Sequence, residues 1–165
     1  MVASEDDLMR RFTELGIATV THRHPPLFTV EESRALRGDL PGGHCKSLFL
    51  KDKKQHLWIV VALEDQALNL KTLHKSIGAA RLSFGRAELL WDALGVRAGS
   101  VTPFAVINDI EARVSVVLDR TMLTHDPLNY HPLHNEATTA LAPGDLLAFI
   151  RACGHEPQIA DLATA

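Results

Sequence analysis

Cysteine is scarce in this sequence of 165 residues, which contains only Cys45 and Cys153, far apart along the chain. Two isolated cysteines do not make the disulfide framework of a small secreted domain. No hydrophobic run approaches the roughly 20 residues that a membrane-spanning helix needs. The acidic N-terminus, residues 1–7, also lacks the apolar core of a signal peptide. We therefore expect a protein of the cytoplasm that does not contact a membrane.

Sequence motifs of several large enzyme classes are also missing. The chain has no G-x-S-x-G nucleophile elbow, no G-x-x-x-x-G-K-[ST] phosphate loop and no G-x-G-x-x-G dinucleotide fingerprint. Nucleotide hydrolysis and dinucleotide binding are therefore disfavoured. Cys45 precedes an apolar run instead of opening a helix, so we interpret it as a small buried thiol and not as a nucleophile.

Histidines occur in two close pairs, His22 with His24 and His131 with His134. Neighbouring histidines on one helix face can ligate zinc. Pro132 interrupts any helix at the second pair, and neither pair is accompanied by a cysteine pair or an H-E-x-x-H motif. We therefore predict no metal site, and nothing in the sequence requires a cofactor.

The composition is that of an ordinary globular domain, with 46% hydrophobic and 22% charged residues. The length predicts one domain over residues 1–165. Charge is distributed unevenly, because residues 46–86 hold eight Lys or Arg and three acids while the net charge of the chain is -3. The basic middle of the chain is either an ordinary solvated face or a surface that faces phosphates.

Helices and strands are predicted to alternate irregularly, so the fold class is α/β or α+β around a mixed sheet. Capping residues and apolar spacing predict helices after Ser4, over residues 29–38, 70–77 and 88–94, and after Pro143. Runs of apolar residues predict strands near residues 17–21, 45–51, 56–63, 81–84, 104–107, 114–118, 130–132 and 136–141.

Lys46 stands at the mouth of the strand predicted over residues 45–51, three residues after Gly43. Lysine is rarely buried without a partner. Its ammonium either faces an adjacent cleft or reaches water while the stem covers apolar surface. The sequence of this stretch alone favours the second possibility.

A second stretch, Gly99-Ser100-Val101-Thr102-Pro103, combines a glycine that allows positive φ with a proline that stiffens the loop. The backbone N–H groups of Ser100, Val101 and Thr102 lie between them. A rigid loop with free N–H groups can hold a carbonyl oxygen or a developing oxyanion. Taken alone, these five residues are better explained by an ordinary turn.

Together, three motifs resemble the prolyl-tRNA editing family, which includes the editing insertion of bacterial prolyl-tRNA synthetase and the YbaK proteins. The motifs are Cys45-Lys46-Ser47-Leu48-Phe49-Leu50-Lys51-Asp52, then Gly99 to Phe104 with Asn108-Asp109, then His131-Pro132-Leu133-His134-Asn135-Glu136-Ala137-Thr138-Thr139. The resemblance extends from the first to the last predicted helix. The third motif is most similar to the free-standing alanyl-tRNA(Pro) deacylases.

The resemblance implies a mixed, mostly antiparallel sheet flanked by helices, and hydrolysis of the ester that joins a wrong amino acid to tRNA(Pro). It places the family's lysine at Lys46 and its glycine-to-proline loop at Gly99–Pro103, the two parts that we predict to be catalytic. Tyr130 and His131 are predicted to contact the substrate, as is Ser47. Ser47 stands where the family usually has asparagine, so a hydroxyl that can donate and accept replaces the side-chain amide.

The implied partners are the acceptor end of tRNA(Pro), charged with the wrong amino acid, and prolyl-tRNA synthetase; DNA is not among them. A pocket that admits alanine can exclude proline by overlap, as the second sieve of an editing system does. Cysteine is intermediate in size, so Cys-tRNA(Pro) is the competing candidate substrate. Two functions of a different class also fit the sequence: a non-catalytic nucleic-acid binding module that uses residues 46–86, and a small-molecule binding domain with a degenerate site.

Overall fold

The computed structural model describes residues 2–26, 35 and 40–164. It forms a mixed sheet with helices packed on it. The strands are β1 (Val20–Arg23), β2 (Gly43–Asp52), β3 (Leu57–Leu63), β4 (Leu82–Phe84), β5 (Val114–Asp119), β6 (Leu128–Tyr130), β7 (Ala137–Leu141) and β8 (Gln158–Ala160). The described α-helices are α1 (Glu5–Glu14), α2 (Leu70–Ile77), α3 (Ala87–Leu94) and α4 (Pro143–Ala152).

The strands follow the order β1-β7-β6-β2-β3-β5-β8, and β4 pairs with β2 outside this path. The β1–β7, β6–β7, β2–β3 and β2–β4 pairs are antiparallel. The β2–β6, β3–β5 and β5–β8 pairs are parallel. The predicted fold class, a mixed and mostly antiparallel sheet flanked by helices, is confirmed.

Strand alternation divides the interior into two layers, one on each face of the β2–β3 hairpin. Phe49 of β2 and Ile59 of β3 face the larger cluster, which also contains Phe12, Phe104 and Phe149. Leu50 and Val60 face the smaller cluster, which α2 covers with Leu73 and Ile77. The hairpin is therefore buried on both faces along most of its length.

Local signals explain where several helices begin and end. The Ser4 hydroxyl accepts from the Asp7 N–H while the Asp7 carboxylate accepts from Ser4, which is a capping box at the start of α1. Asn69 caps α2, and Gly78 ends it in the left-handed conformation at φ 75°. Both helices were predicted with these caps.

Other predictions were wrong or displaced. Residues 104–107 are not a strand, because a 3-10 helix spans Pro103–Asn108. Proline at the first helical position and the Thr102 hydroxyl, which accepts from the Phe104 N–H, start that helix. The strand predicted over residues 17–21 is displaced toward the C-terminus, because β1 spans Val20–Arg23. The strand β8 was not predicted. The helix predicted over residues 29–38 lies outside the described residues, except for Ala35, which is helical.

In the part of the chain that the structure describes, no helix combines the length and apolar character needed to cross a membrane.

Candidate functional site

Lys46 lies near the start of β2, on the face of the strand that also carries Leu48 and Leu50. Its side chain is half-buried, and its ammonium donates a hydrogen bond to the main-chain carbonyl of Gln66 at 2.5 Å. In the described residues no carboxylate forms an ion pair with it. A cation held in this way by one carbonyl keeps N–H donors available for a second, anionic partner.

The start of β2 is joined to β6 by a parallel ladder that pairs Gly43 with Leu128 and His44 with Asn129. The Asn129 amide reinforces the junction by donating to the carbonyls of Pro41 and Gly43 at 3.0 and 3.1 Å. Lys46 lies two residues after the paired part of β2, and His131 lies two residues after the paired part of β6. The β2–β6 junction therefore carries two of the predicted site residues.

Gly42 is the residue that allows this junction to close. Its φ is +95°, and a Cβ atom there would lie 2.1 Å from the Pro127 carbonyl oxygen. The neighbouring Gly43 N–H donates to the same oxygen at 2.8 Å. Any side chain at position 42 would push the segment before β6 away from β2.

Beneath the junction, Cys45 and Tyr130 lie on the face opposite Lys46, toward the larger core cluster. Burial raises the pKa of the Cys45 thiol to about 12, so the sulfur is a neutral thiol at physiological pH. Burial also raises the pKa of Tyr130, whose hydroxyl lies 3.3 Å from the Met122 sulfur. The interpretation of Cys45 as a structural thiol agrees with this environment. Tyr130, 4% exposed, supports the site from below.

Ser47 follows Lys46 directly, so strand alternation turns it to the Cys45 side. The structure therefore does not place Ser47 and Lys46 on the same face of β2. A substrate contact from Ser47 would have to come from that opposite face, and it stays a prediction.

His131 is half-buried just beyond β6. Burial is the largest effect on the His131 imidazole, and it lowers the pKa. The nearby His24 and His134 lower the pKa further, whereas a 3.4 Å hydrogen bond to the Ala137 carbonyl and the Glu64 carboxylate raise it. The net shift is downward, so the imidazole is neutral at physiological pH. It can make hydrogen bonds without adding a positive charge.

A network of charged and polar groups surrounds His131 and connects α1, β1 and β7. Glu5 forms a two-pronged ion pair with Arg23 and lies 2.6 Å from His134 Nε2. The Arg23 hydrogen bond is the largest cause of the lowered pKa of Glu5. His24 Nε2 lies 2.8 Å from the Thr138 hydroxyl. These contacts fix the loop after His131 against the N-terminal part of the chain.

The loop Gly99–Pro103 lies between α3 and the 3-10 helix. Gly99 is exposed at φ +89°, whereas Ser100 and Thr102 are buried. The Ser100 N–H donates to the Arg97 carbonyl at 3.0 Å, so the prediction of three free N–H groups is wrong. Within the described residues, the N–H groups of Val101 and Thr102 remain without a recorded partner. Val101, which is half-buried, is the more accessible of the two.

The loop is connected to the β2–β6 junction through aromatic packing. Phe104, directly after Pro103, packs edge-on against Tyr130 with ring centroids 5.5 Å apart. Tyr130 in turn precedes His131 in the chain. No recorded hydrogen bond or ion pair among the described residues joins the loop itself to Lys46 or His131.

Sequence reasoning missed Gln66 and Glu64 as neighbours of the site. Gln66 contributes a main-chain carbonyl, which any residue has, so no sequence signal could have indicated it. Glu64 follows β3 and donates its N–H to the His44 carbonyl at 2.8 Å. Across the described ranges, no group of three or more His, Cys, Asp or Glu side chains is arranged to hold a metal ion.

Comparison with known proteins assigns a family to this arrangement. The model of the aminoacyl-tRNA editing domain family matches residues 24–149. Prolyl-tRNA synthetase associated domain-containing protein 1 of Mus musculus is 38% identical over 158 residues, which cover 93% of each chain. Prolyl-tRNA editing protein ProX of Acetoanaerobium sticklandii is 36% identical over 150 residues, covering 90% of this chain and 91% of its own.

Among solved structures, one provisionally described as a trans-editing enzyme for prolyl tRNA synthetase superposes with a TM-score of 0.70. It is 19% identical, and the match covers 98% of both chains. At this identity the likeness concerns the fold alone.

Proposed function

Because the chain belongs to the aminoacyl-tRNA editing domain family, and within it to the prolyl-tRNA editing proteins, we propose that it is a trans-editing deacylase. Its reaction is hydrolysis of the ester between a wrong amino acid and the 3′ end of tRNA(Pro), and its main substrate is Ala-tRNA(Pro). The observation that carries the proposal is the half-buried Lys46 ammonium, held by one main-chain carbonyl near the β2–β6 junction.

Lys46 anchors the substrate by its charge. The 3′ end of a tRNA offers a phosphate and ribose hydroxyls beside the ester, and an ammonium with unused N–H donors binds such groups. The Gln66 carbonyl limits where the ammonium can point, which reduces the entropy lost on binding. In this role Lys46 orients the ester and takes no proton from water.

The Gly99–Pro103 backbone orients the ester carbonyl and stabilises the oxyanion that forms when water attacks. Val101 supplies the more accessible of the two N–H groups, and Thr102, which is buried, contributes a second donor only if the loop opens. Pro103 and the 3-10 helix behind it keep the loop rigid, as electrostatic preorganisation requires. Gly99 allows the close approach of the substrate because it has no side chain.

His131 forms part of the pocket wall and contacts the water or the ribose. Its neutral imidazole can accept a proton transiently, but an aminoacyl ester is already activated, and the terminal ribose has a neighbouring hydroxyl. Positioning and oxyanion stabilisation then account for most of the rate. Tyr130 holds His131 in place from beneath.

Alanine specificity follows from size. A pocket that fits the alanine methyl group excludes the proline ring by steric overlap, which discriminates more strongly than an unfilled space does. Cysteine exceeds alanine by one sulfur atom, so Cys-tRNA(Pro) is the competing substrate. Prolyl-tRNA synthetase is the proposed protein partner, and the name of the mouse relative supports it.

The test is deacylation of Ala-tRNA(Pro) by wild type, Lys46→Ala and Lys51→Ala. Lys51 is a matched control because it is another half-buried lysine, five residues along the same strand. We expect Lys46→Ala to lower kcat/KM at least 100-fold, the effect of about 2.7 kcal/mol of lost transition-state stabilisation. Lys51→Ala should stay within threefold of wild type. Circular dichroism establishes that both variants are folded, and near-wild-type turnover by folded Lys46→Ala would refute the assignment.

A further inference from the structure

A cavity of about 520 Å³ opens beside the candidate site, where the start of β2 meets the segment after β3. Its wall contains Gly42, Gly43, His44, Gln66 and His125. Gln66 is also the residue whose carbonyl accepts the Lys46 hydrogen bond. The same residue therefore lines the cavity and holds the Lys46 ammonium. The mechanism proposed above does not use the cavity.

Gln66 lines this cavity, and its side-chain amide contains an unexplained polar atom. Within the described chain, its Nε2 atom is buried and has no hydrogen-bond partner. Buried amide donors are normally satisfied. The terminal torsion of glutamine is broad, so rotation about it can exchange the positions of the N–H₂ and the carbonyl of the amide. An amide in this position can both donate to and accept from the edge of a planar ligand.

The other walls suit a flat ring. Gly42 and Gly43 line this wall without side chains, and a Cβ would lie 2.1 Å from the Pro127 carbonyl oxygen at position 42 and 3.0 Å from the His125 Cβ at position 43. The His44 ring is fixed by a 3.0 Å hydrogen bond from Nε2 to the Leu40 carbonyl. His125 stands exposed, with its Cβ 3.0 Å from where a Gly43 Cβ would be. Imidazole rings beside a bare backbone provide a stacking surface for a nucleobase.

We propose that this cavity binds the unpaired nucleotide directly 5′ of the terminal adenosine, a cytidine in the CCA end that tRNAs share. The inference rests on the proposed function, since it takes the tRNA acceptor end as the substrate. The base stacks on the imidazoles, and the Gln66 amide bonds its Watson–Crick edge. The phosphate that joins this nucleotide to the adenosine then lies at Lys46, between the cavity and the ester.

This placement gives the cavity a purpose that is distinct from catalysis. An ester-binding site alone would recognise any aminoacyl-adenosine. A second nucleotide subsite contributes binding energy remote from the reacting bond, which positions the ester. The proposed subsite reads the base through Gln66 and the phosphate through Lys46.

The test compares binding of the dinucleotide CpA with binding of AMP methylated on its phosphate (AMP below), so that both ligands carry one phosphodiester charge and differ by the cytidine. Isothermal titration gives the two Kd values for wild type, Gln66→Leu and Gln158→Leu. Gln158 is the matched control, an exposed glutamine on β8. We expect wild type to bind CpA about tenfold tighter than AMP, the effect of one stacked and hydrogen-bonded base. Gln66→Leu should lose this advantage and keep its AMP affinity, whereas Gln158→Leu should behave as wild type.

Amide chemical shifts locate the cytidine, because CpA but not AMP should shift the Gly42 and Gly43 signals. Equal affinity of wild type for CpA and AMP would overturn the subsite, as would an intact CpA advantage in Gln66→Leu. An equal loss of CpA and AMP affinity in Gln66→Leu would also overturn the subsite, because Gln66 would then act only by holding Lys46. The titration involves no deacylation, so a failed subsite and a failed editing activity are seen in separate experiments.

Discussion

Asp52 illustrates how a single buried carboxylate organises one end of the β2–β3 hairpin. It is 2% exposed and accepts four hydrogen bonds: Oδ1 from the N–H groups of Lys54 and His56, and Oδ2 from Trp58 Nε1 and the Ala80 N–H. Burial alone would raise the pKa of Asp52, but these hydrogen bonds outweigh it, and the pKa lies below the ordinary value. The ionised form is therefore stabilised by the fold.

We expect Asp52→Asn to lower the free energy of unfolding by about 3 kcal/mol at pH 7. Each carboxylate oxygen accepts two N–H groups, so the amide NH₂ of asparagine would face two donors. Urea denaturation measures the loss. Asp92→Asn is the control, since Asp92 forms an exposed ion pair with Arg113 and should change stability by less than about 1 kcal/mol.

The difference in unfolding free energy between wild type and Asp52→Asn should depend on pH in a definite direction. Because the folded pKa of Asp52 is lowered, its stabilisation is complete above the unfolded value of about 3.9 and is lost as pH falls through the folded pKa. The difference between wild type and Asp52→Asn should be constant above about pH 5 and shrink at lower pH. A difference that grows on acidification would contradict this account.

At the residue scale, the sequence was informative where a side chain acts through its own chemistry. Lys46 stood out because lysine rarely begins a buried strand. Gln66, in contrast, holds Lys46 through a main-chain carbonyl 20 residues away, and no residue type specifies that contact. The prediction for the Ser100 N–H failed for a related reason, because the turn that satisfies it comes from Arg97, outside the motif.

At the scale of elements, helices with explicit caps could be predicted, whereas the short apolar segment after Pro103 could not. Phe104 to Ile107 reads equally well as a strand or as a helical turn, because four apolar residues carry no periodicity. The Thr102 cap and Pro103 decide for a 3-10 helix. The helix also places Phe104 against Tyr130, which strengthens the link between the loop and the β2–β6 junction.

The β2–β6 junction should depend on Gly42. We expect Gly42→Ala to destabilise the fold by about 1–3 kcal/mol, because alanine is strained at φ +95° and its Cβ would meet the Pro127 carbonyl at 2.1 Å. Deacylation should also fall, since the junction positions Lys46 and His131. Thermal unfolding and kcat/KM measure the two effects.

Gly144→Ala provides the control for this substitution. Gly144 lies in the first turn of α4, and a Cβ there would have nothing within 4 Å. Alanine should be neutral or slightly stabilising at that position. Unchanged stability and activity in Gly42→Ala would show that the close approach to Pro127 is unimportant.

At the scale of the whole molecule, positive charge is concentrated on one part of an acidic protein. Residues 66–86 contain no acidic residue, and in the hairpin turn before them Asp52 is buried and fully engaged. The Lys53 N–H donates to the Arg81 carbonyl at 3.0 Å, which joins the hairpin turn to the segment after α2. The exposed cations of this surface are Lys53, Lys54, Lys71, Lys75, Arg81 and Arg86. Such a distribution fits a polyanionic substrate and would make binding weaker at high salt.

The topology explains why the fold and the candidate site could be predicted only in part from the sequence. The order of the elements along the chain predicted a mixed sheet, but the pairing of β2 with β6 joins segments about 85 residues apart. That pairing, which creates the candidate site, is set by long-range packing. The resemblance to a family connected the three motifs, which local sequence patterns alone could not connect.

The measurement that tests the central claim most directly is deacylation of three purified substrates, Ala-tRNA(Pro), Cys-tRNA(Pro) and Pro-tRNA(Pro), at catalytic protein concentration. The account predicts rapid loss of alanine, with kcat/KM at least tenfold above that for cysteine, and no measurable loss of proline. Preferential loss of cysteine would contradict the proposed substrate and leave the editing reaction in place. No turnover of any substrate, together with salt-dependent tRNA binding, would contradict the deacylase and favour a binding module.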